Sequence, residues 1–162
     1  MRTDSESDKS ITDPLVQKQT IQSVHRLRIL MVVVLVILTV QGWFGDTTNL
    51  FVTTSSASTI PFSLSALIPR ILSYGPILIW HAAEGFLLLI LSLITIALAF
   101  AWSKKTSVRL MTILGSIMII SAAIGGLSFV ASGFTAGGSS AQMGGSFIGA
   151  YAFYFMALYF TK

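Results

Sequence analysis

The sequence predicts an all-α polytopic membrane protein, an up-down bundle of four transmembrane helices with a long outer loop after helix one. Three observations carry that expectation. Only 10% of the 162 residues are charged and 54% are apolar, with a mean hydropathy of +0.82, whereas a soluble domain carries about a quarter charged residues. Four apolar segments each reach the roughly 20 residues that a helix needs to cross the hydrocarbon core. These runs lack the alternation of a membrane strand, which favours helices over a barrel.

The first span is "LRILMVVVLVILTVQGWF", residues 27–44. Its unbroken apolar core, Ile29 to Val40, has the length of a signal-peptide core, and Val40-Gln41-Gly42 would pass as a cleavage context. Trp43 and Phe44 extend the run and suit an interfacial belt, so an uncleaved helix is expected. The second, third and fourth spans cover about 76–102, 108–134 and 142–160. Residues 1–20, polar and mixed in charge, read as a disordered cytoplasmic tail preceding a four-helix transmembrane domain at 21–162. His25 falls at the membrane surface, beside Arg26 and Arg28.

Lys and Arg set the direction. Arg2, Lys9, Lys18, Arg26 and Arg28 precede span one, Lys104, Lys105 and Arg109 lie between spans two and three, and Lys162 follows span four. The other two connections hold only Arg70, so nine of the ten basic residues share one side when both termini are cytoplasmic. A multi-pass protein of the cell membrane is expected, with the first and third connections outside.

The first outer connection is long, from Gly45 to Gly75, and a loop of that length usually has structure or function of its own. Leu64, Leu67, Ile68, Ile71 and Leu72 follow helical spacing there. A short helix on the outer leaflet is expected, interrupted near Pro69. It would form a cap over the bundle or, alternatively, a lid over a site. The third connection, "TAGGSS", is short and makes spans three and four antiparallel neighbours. Their small-xxx-small pairs, which include Gly125, Gly126, Gly145 and Gly149, are expected to bring these helices close; a homodimer partner or a flat cofactor are the alternatives.

The informative polar residues gather in the outer half. His81 lies roughly 7–8 Å along span two and Glu84 about 12 Å, at 1.5 Å per residue. Their i, i+3 spacing places them on one face. Gln41, Asp46 and Asn49 lie at the same level at the end of span one, and Gln142 and Met143 open span four. A carboxylate at that depth costs a few kcal/mol or more unless it is paired or neutral. Glu84 could be protonated, could hydrogen-bond His81, Gln41 or Gln142, or could meet Arg70. A proton path, a bound ion or a cofactor are the functional alternatives.

Several chemistries find no support in the sequence. The absence of cysteine removes disulfides, thiolate metal sites and iron–sulfur clusters. The net charge of +4 is scattered at span ends, and no aromatic platform alternates with it, so nucleic acid is not expected as a partner. A zinc site wants four ligands, and His81, Glu84 and Asp46 offer at most three, so no metal site is expected. No catalytic residues are assigned, because no nucleophile–base arrangement, phosphate loop or HExxH is present. No cofactor is predicted. Haem is the alternative, held by His81 alone or with Met143, since His25 and His81 lie at opposite faces about 30 Å apart.

The motifs "VQGWFGDTTNLFV", "WHAAEGFLLLILSL", "RLMTILGSIMIISAAIGG" and "AQMGGSFIGAYAFYF" resemble those of uncharacterised four-span membrane proteins of archaea and bacteria. The layout is also loosely similar to one half of a haem A synthase, a four-helix unit with histidines near the outer ends of two helices. Here span four opens with Gln142 where that resemblance would imply a second histidine. The bis-histidine site is therefore absent and the activity is not transferred.

The function expected is that of a small integral membrane protein, a non-enzymatic accessory or structural subunit of a membrane complex. Its partners would be the lipid bilayer and other membrane subunits or a second copy. The alternative is a haem- or cofactor-handling redox membrane protein using His81.

Overall fold

The computed structural model describes residues 14–52 and 58–162, with the side chains of residues 14–18, 20 and 49–52 outside the description. Expectations about residues 1–13, and about the side chain of Asn49, therefore fall outside the described residues. Among the described residues, five helices follow in chain order: α1 (Pro14–Val52), α2 (Leu64–Ser73), α3 (Pro76–Trp102), α4 (Thr106–Ala131) and α5 (Gly137–Phe160). Four are long and apolar enough to cross a membrane, α1 through its Ile21–Thr48 portion. The protein is an all-α, multi-pass bundle in contact with lipid.

Each long helix packs on its neighbours in the order α1–α3–α4–α5, and α5 closes the ring against α1. The core is a seam read from heptad-like spacing. On α1, Leu27, Met31, Val34 and Leu38 are buried at alternating steps of four and three. They meet Leu88 and Ala99 of α3, Val108 and Ile119 of α4, and Ala150, Tyr154 and Ala157 of α5. Such spacing keeps one stripe facing the partner helices along their whole length. The opposite faces stay apolar and bare, as at Val36, Leu93, Ile117 and Ile148, each at least half exposed. Water would not tolerate these faces, and hydrocarbon does. Trp43 and Trp80 stand outward at one end of the bundle, the loop end. Tyr159 stands outward at the other, the basic end that carries Lys104, Lys105 and Lys162.

Helix boundaries follow local chemistry. Gly75 adopts φ 91° and ψ −179°, a conformation open to glycine, and Pro76 then supplies the first residue of α3. α4 stops at Ala131 rather than continuing to residue 134. There the amide of Phe134 bonds the carbonyl of Phe129 at 2.9 Å and that of Gly133 bonds Val130 at 3.1 Å, with Gly133 at φ 69°. This is a Schellman closure, and the Phe129 and Phe134 rings supply its apolar contact at 5.6 Å. α5 begins at Gly137, earlier than the expected residue 142, because the small residues of "TAGGSS" join the helix.

The outer connection forms a helix, but Pro69 does not interrupt it: α2 runs unbroken through the proline. In a ten-residue helix the ring removes one backbone bond near the start, while Leu67 is buried in a cluster with Leu78, Phe129, Val130, Ala131 and Phe134. Ile60 donates its amide to the Ala131 carbonyl at 2.9 Å, fastening the connection across the end of α4. α2 packs on α3 and α4 and, among the described residues, not on α1. It caps one half of the loop end.

Candidate functional site

The α1 stripe does not end at Leu38. Its alternation continues through Gln41, Gly45 and Thr48, so an amide occupies a position where the preceding turns place Leu and Val. α3 has the same property: Leu78, His81, Gly85, Leu88, Ser92, Thr95 and Ala99 alternate at steps of three and four. Gln41 and His81 therefore face the seam where α1 and α3 pack.

Their contact is reciprocal. Gln41 Nε2 donates to the main-chain carbonyl of His81 at 3.1 Å. A Cβ at Gly85 would lie 3.4 Å from Gln41 Nε2, and one at Gly45 would lie 3.3 Å from His81 Cε1. Each polar side chain thus rests on a glycine of the opposing helix. Small residues allow this approach, and the amide bond joins two helices in a medium without competing water.

Three polar atoms here are buried without a hydrogen-bond partner: Gln41 Oε1 and His81 Nδ1 at the seam, and Glu84 Oε2 one turn further along α3. Glu84 does not meet the partners expected from sequence. Arg70 Nη2 donates to the Ser58 carbonyl at 2.8 Å, within the outer connection. The i, i+3 spacing puts His81 and Glu84 on one face without a bond at Glu84 Oε2 or His81 Nδ1.

The remaining expected site residues lie elsewhere. Gln142 is exposed and turns to α4, with Nε2 at 3.3 Å from both the carbonyl and the hydroxyl of Ser121. Ser146 donates to the same hydroxyl at 2.9 Å. Met143 also faces α4, its Sδ 3.4 Å from a Cβ at Gly126. Asp46 is exposed. The group divides into an α1–α3 pair and an α4–α5 pair. Met143 is not brought to His81. Among the described residues, no three His, Asp or Glu side chains converge as metal ligands.

The four packing glycines divide as well. A Cβ at Gly125 would sit 3.1 Å from both the Met143 amide nitrogen and the Ser139 carbonyl oxygen, so α4 and α5 touch backbone to backbone. Gly126 and Gly149 pack on Met143 and Met118. Gly145 does not: nothing lies within 4 Å of its Cβ position, and it faces outward with Gly144.

A second polar layer escaped the sequence reading. Ser92, Thr95, Thr112, Ser116 and Tyr154 are all essentially inaccessible. The Tyr154 and Ser116 hydroxyls are 2.9 Å apart, and Ser116 Oγ also reaches the Ser92 carbonyl at 3.4 Å. The Tyr154 ring covers Gly115, where a Cβ would stand 2.8 Å from two ring carbons. Two sequence signals mark this layer. Tyr154 lies six residues inside its helix end, deeper than an interfacial tyrosine, and Ser92 and Thr95 continue the α3 seam.

The arrangement therefore consists of interhelical polar contacts at two levels of the bundle, together with the bare atoms of Gln41, His81 and Glu84. Comparison with protein-family models, curated proteins and solved structures gives no match for this chain.

Proposed function

We propose that this chain is a non-enzymatic accessory or structural subunit of a membrane complex, one that meets its partner through the outward face of α5. The observation that supports this reading is the character of that face. Gly137, Ala141, Gly145, Ile148 and Ala152 recur at steps of three and four, all exposed, and the Cβ positions of Gly137, Gly138, Gly144 and Gly145 are open. Small residues at that spacing let another membrane helix approach closely. α5 is also the least apolar of the four spans, with a mean hydropathy of 1.3 against 2.2 to 2.5 for the others.

The distribution of Lys and Arg supports a cell-membrane orientation with both termini cytoplasmic; in that orientation α2 would lie outside and the Gln41–His81 contact in the outer half of the membrane. The experiment is particle mass after extraction of native membranes into polymer nanodiscs. The accessory reading expects a particle heavier than one chain, reduced to one chain by Gly145→Leu. A single-chain particle for the parent protein contradicts it.

The bare Nδ1 of His81 favours a second reading, a haem- or cofactor-handling redox protein. Its test is an absorption spectrum of protein made in haem-replete cells. A Soret band lost on His81→Ala supports that reading, and a colourless protein rejects haem.

A further inference from the structure

Buried polar atoms in folded proteins almost always have partners, and those without one point to water or an ion. The α1–α3 seam concentrates such atoms. Gln41 has its amide nitrogen fixed on the His81 carbonyl, so its Oε1 is oriented and bare, and Oε1 can only accept. His81 Nδ1 and Glu84 Oε2 are bare as well, one turn apart on the same face of α3. Each carries the desolvation penalty of an unpaired polar group if left so. Gly45 and Gly85 leave the places that the His81 ring and the Gln41 amide take up, which holds these polar groups at the seam. Among the described residues, the cap formed by α2 sits on α3 and α4 and not on α1.

We propose that the loop end of the α1–α3 seam is a hydrated recess, in which bound water hydrogen-bonds Gln41 Oε1, His81 Nδ1 and Glu84 Oε2 and connects Glu84 to the aqueous phase on that side. Water suits this set because it donates to the amide oxygen and the carboxyl and can donate to or accept from the imidazole. Glu84 thereby exchanges protons with one side of the membrane, although it lies about 12 Å along α3. Below it, the recess is closed by Leu88, which is buried, and by the dry layer at Ser92. The inference is independent of the α5 contact.

Because the chain has no cysteine, single thiols can report water directly. Gly85→Cys and, two turns deeper, Ser92→Cys are reconstituted in vesicles and treated with a membrane-impermeant methanethiosulfonate from the loop side. A hydrated thiol ionises and a dry one does not, so Gly85→Cys should react roughly tenfold faster or more. Equal, negligible reaction of both variants, each folded with the parent's melting temperature, overturns the recess. The unmodified protein provides a second measurement. A water-soluble carbodiimide should label Glu84 from the loop side, whereas labelling by a lipid-soluble carbodiimide alone overturns the proposal. Protection of Glu84 by sodium but not by choline at equal ionic strength would seat a cation there and also overturn it.

Discussion

Gln41 donates its side-chain amide to the carbonyl of His81 across 3.1 Å, so the polar member of the α1 seam is spent on the backbone of α3. A helical carbonyl has a second lone pair that can accept such a bond without breaking the helix. Gly85, one turn beyond His81, leaves the amide its path.

Substitution at Gly85 should therefore depend on size. A Cβ 3.4 Å from Gln41 Nε2 is in ordinary contact, so Gly85→Ala should be tolerated, while Gly85→Leu should displace the amide. Gln41→Leu removes the bond but keeps the bulk, and should cost about 0.5–2 kcal/mol, the range of interhelical bonds in membranes. Unfolding of the reconstituted protein by mixed-micelle denaturation reads all three. Equal stability of Gly85→Leu and Gly85→Ala would contradict the packing.

The second polar layer makes an ordered prediction. Gly115→Ala drives a methyl to 2.8 Å from the ring of Tyr154, which is fully buried and has nowhere to move. Overpacking of this kind typically costs about 1–3 kcal/mol. Tyr154→Phe loses only the hydroxyl contact with Ser116, about 0.6 kcal/mol on average for such bonds. The melting temperature should fall more for Gly115→Ala than for Tyr154→Phe.

Two glycines on the α4–α5 pair should behave oppositely. Gly125→Ala meets main-chain atoms at 3.1 Å, which can yield only if the helices separate, so the bundle should loosen. Gly145→Ala meets nothing within 4 Å and should leave the stability of the isolated chain unchanged or slightly improved, since alanine is the better helix former. Thermal unfolding in detergent distinguishes them.

At the basic end, Lys105 Nζ donates to the Phe160 carbonyl at 3.0 Å and to that of Lys162. A cation there satisfies terminal carbonyls and complements the helix dipole, worth about 0.3–1 kcal/mol. Lys105→Met should speed amide exchange in the last turn of α5, and Lys105→Arg should largely restore protection.

Much of this architecture is legible in the sequence. Continuous apolar runs define the spans, and basic residues cluster at alternate connections. The seam too is present as steps of three and four through Leu27, Met31, Val34 and Leu38, and following it one turn further places Gln41 inward. Partner choice is less legible. Periodicity fixes the face of a helix and its depth, but not which of two flanking helices that face meets. Gln142 accordingly turns to Ser121, and Gly145 shares its stripe spacing with Gly149 yet faces outward. Glu84 shows the same limit. Its place on the His81 face follows from spacing, whereas the diversion of Arg70 to Ser58 depends on the path of the outer connection.

The most direct test of the central claim is a photocrosslinking amino acid placed at Ala141 on α5, activated in native membranes and resolved by denaturing electrophoresis. The accessory-subunit account predicts a discrete protein adduct that disappears when Gly145→Leu is added on the same face, and that is absent when the crosslinker sits at Leu93 on the lipid face of α3. Lipid adducts alone at Ala141, with no protein band, would contradict it.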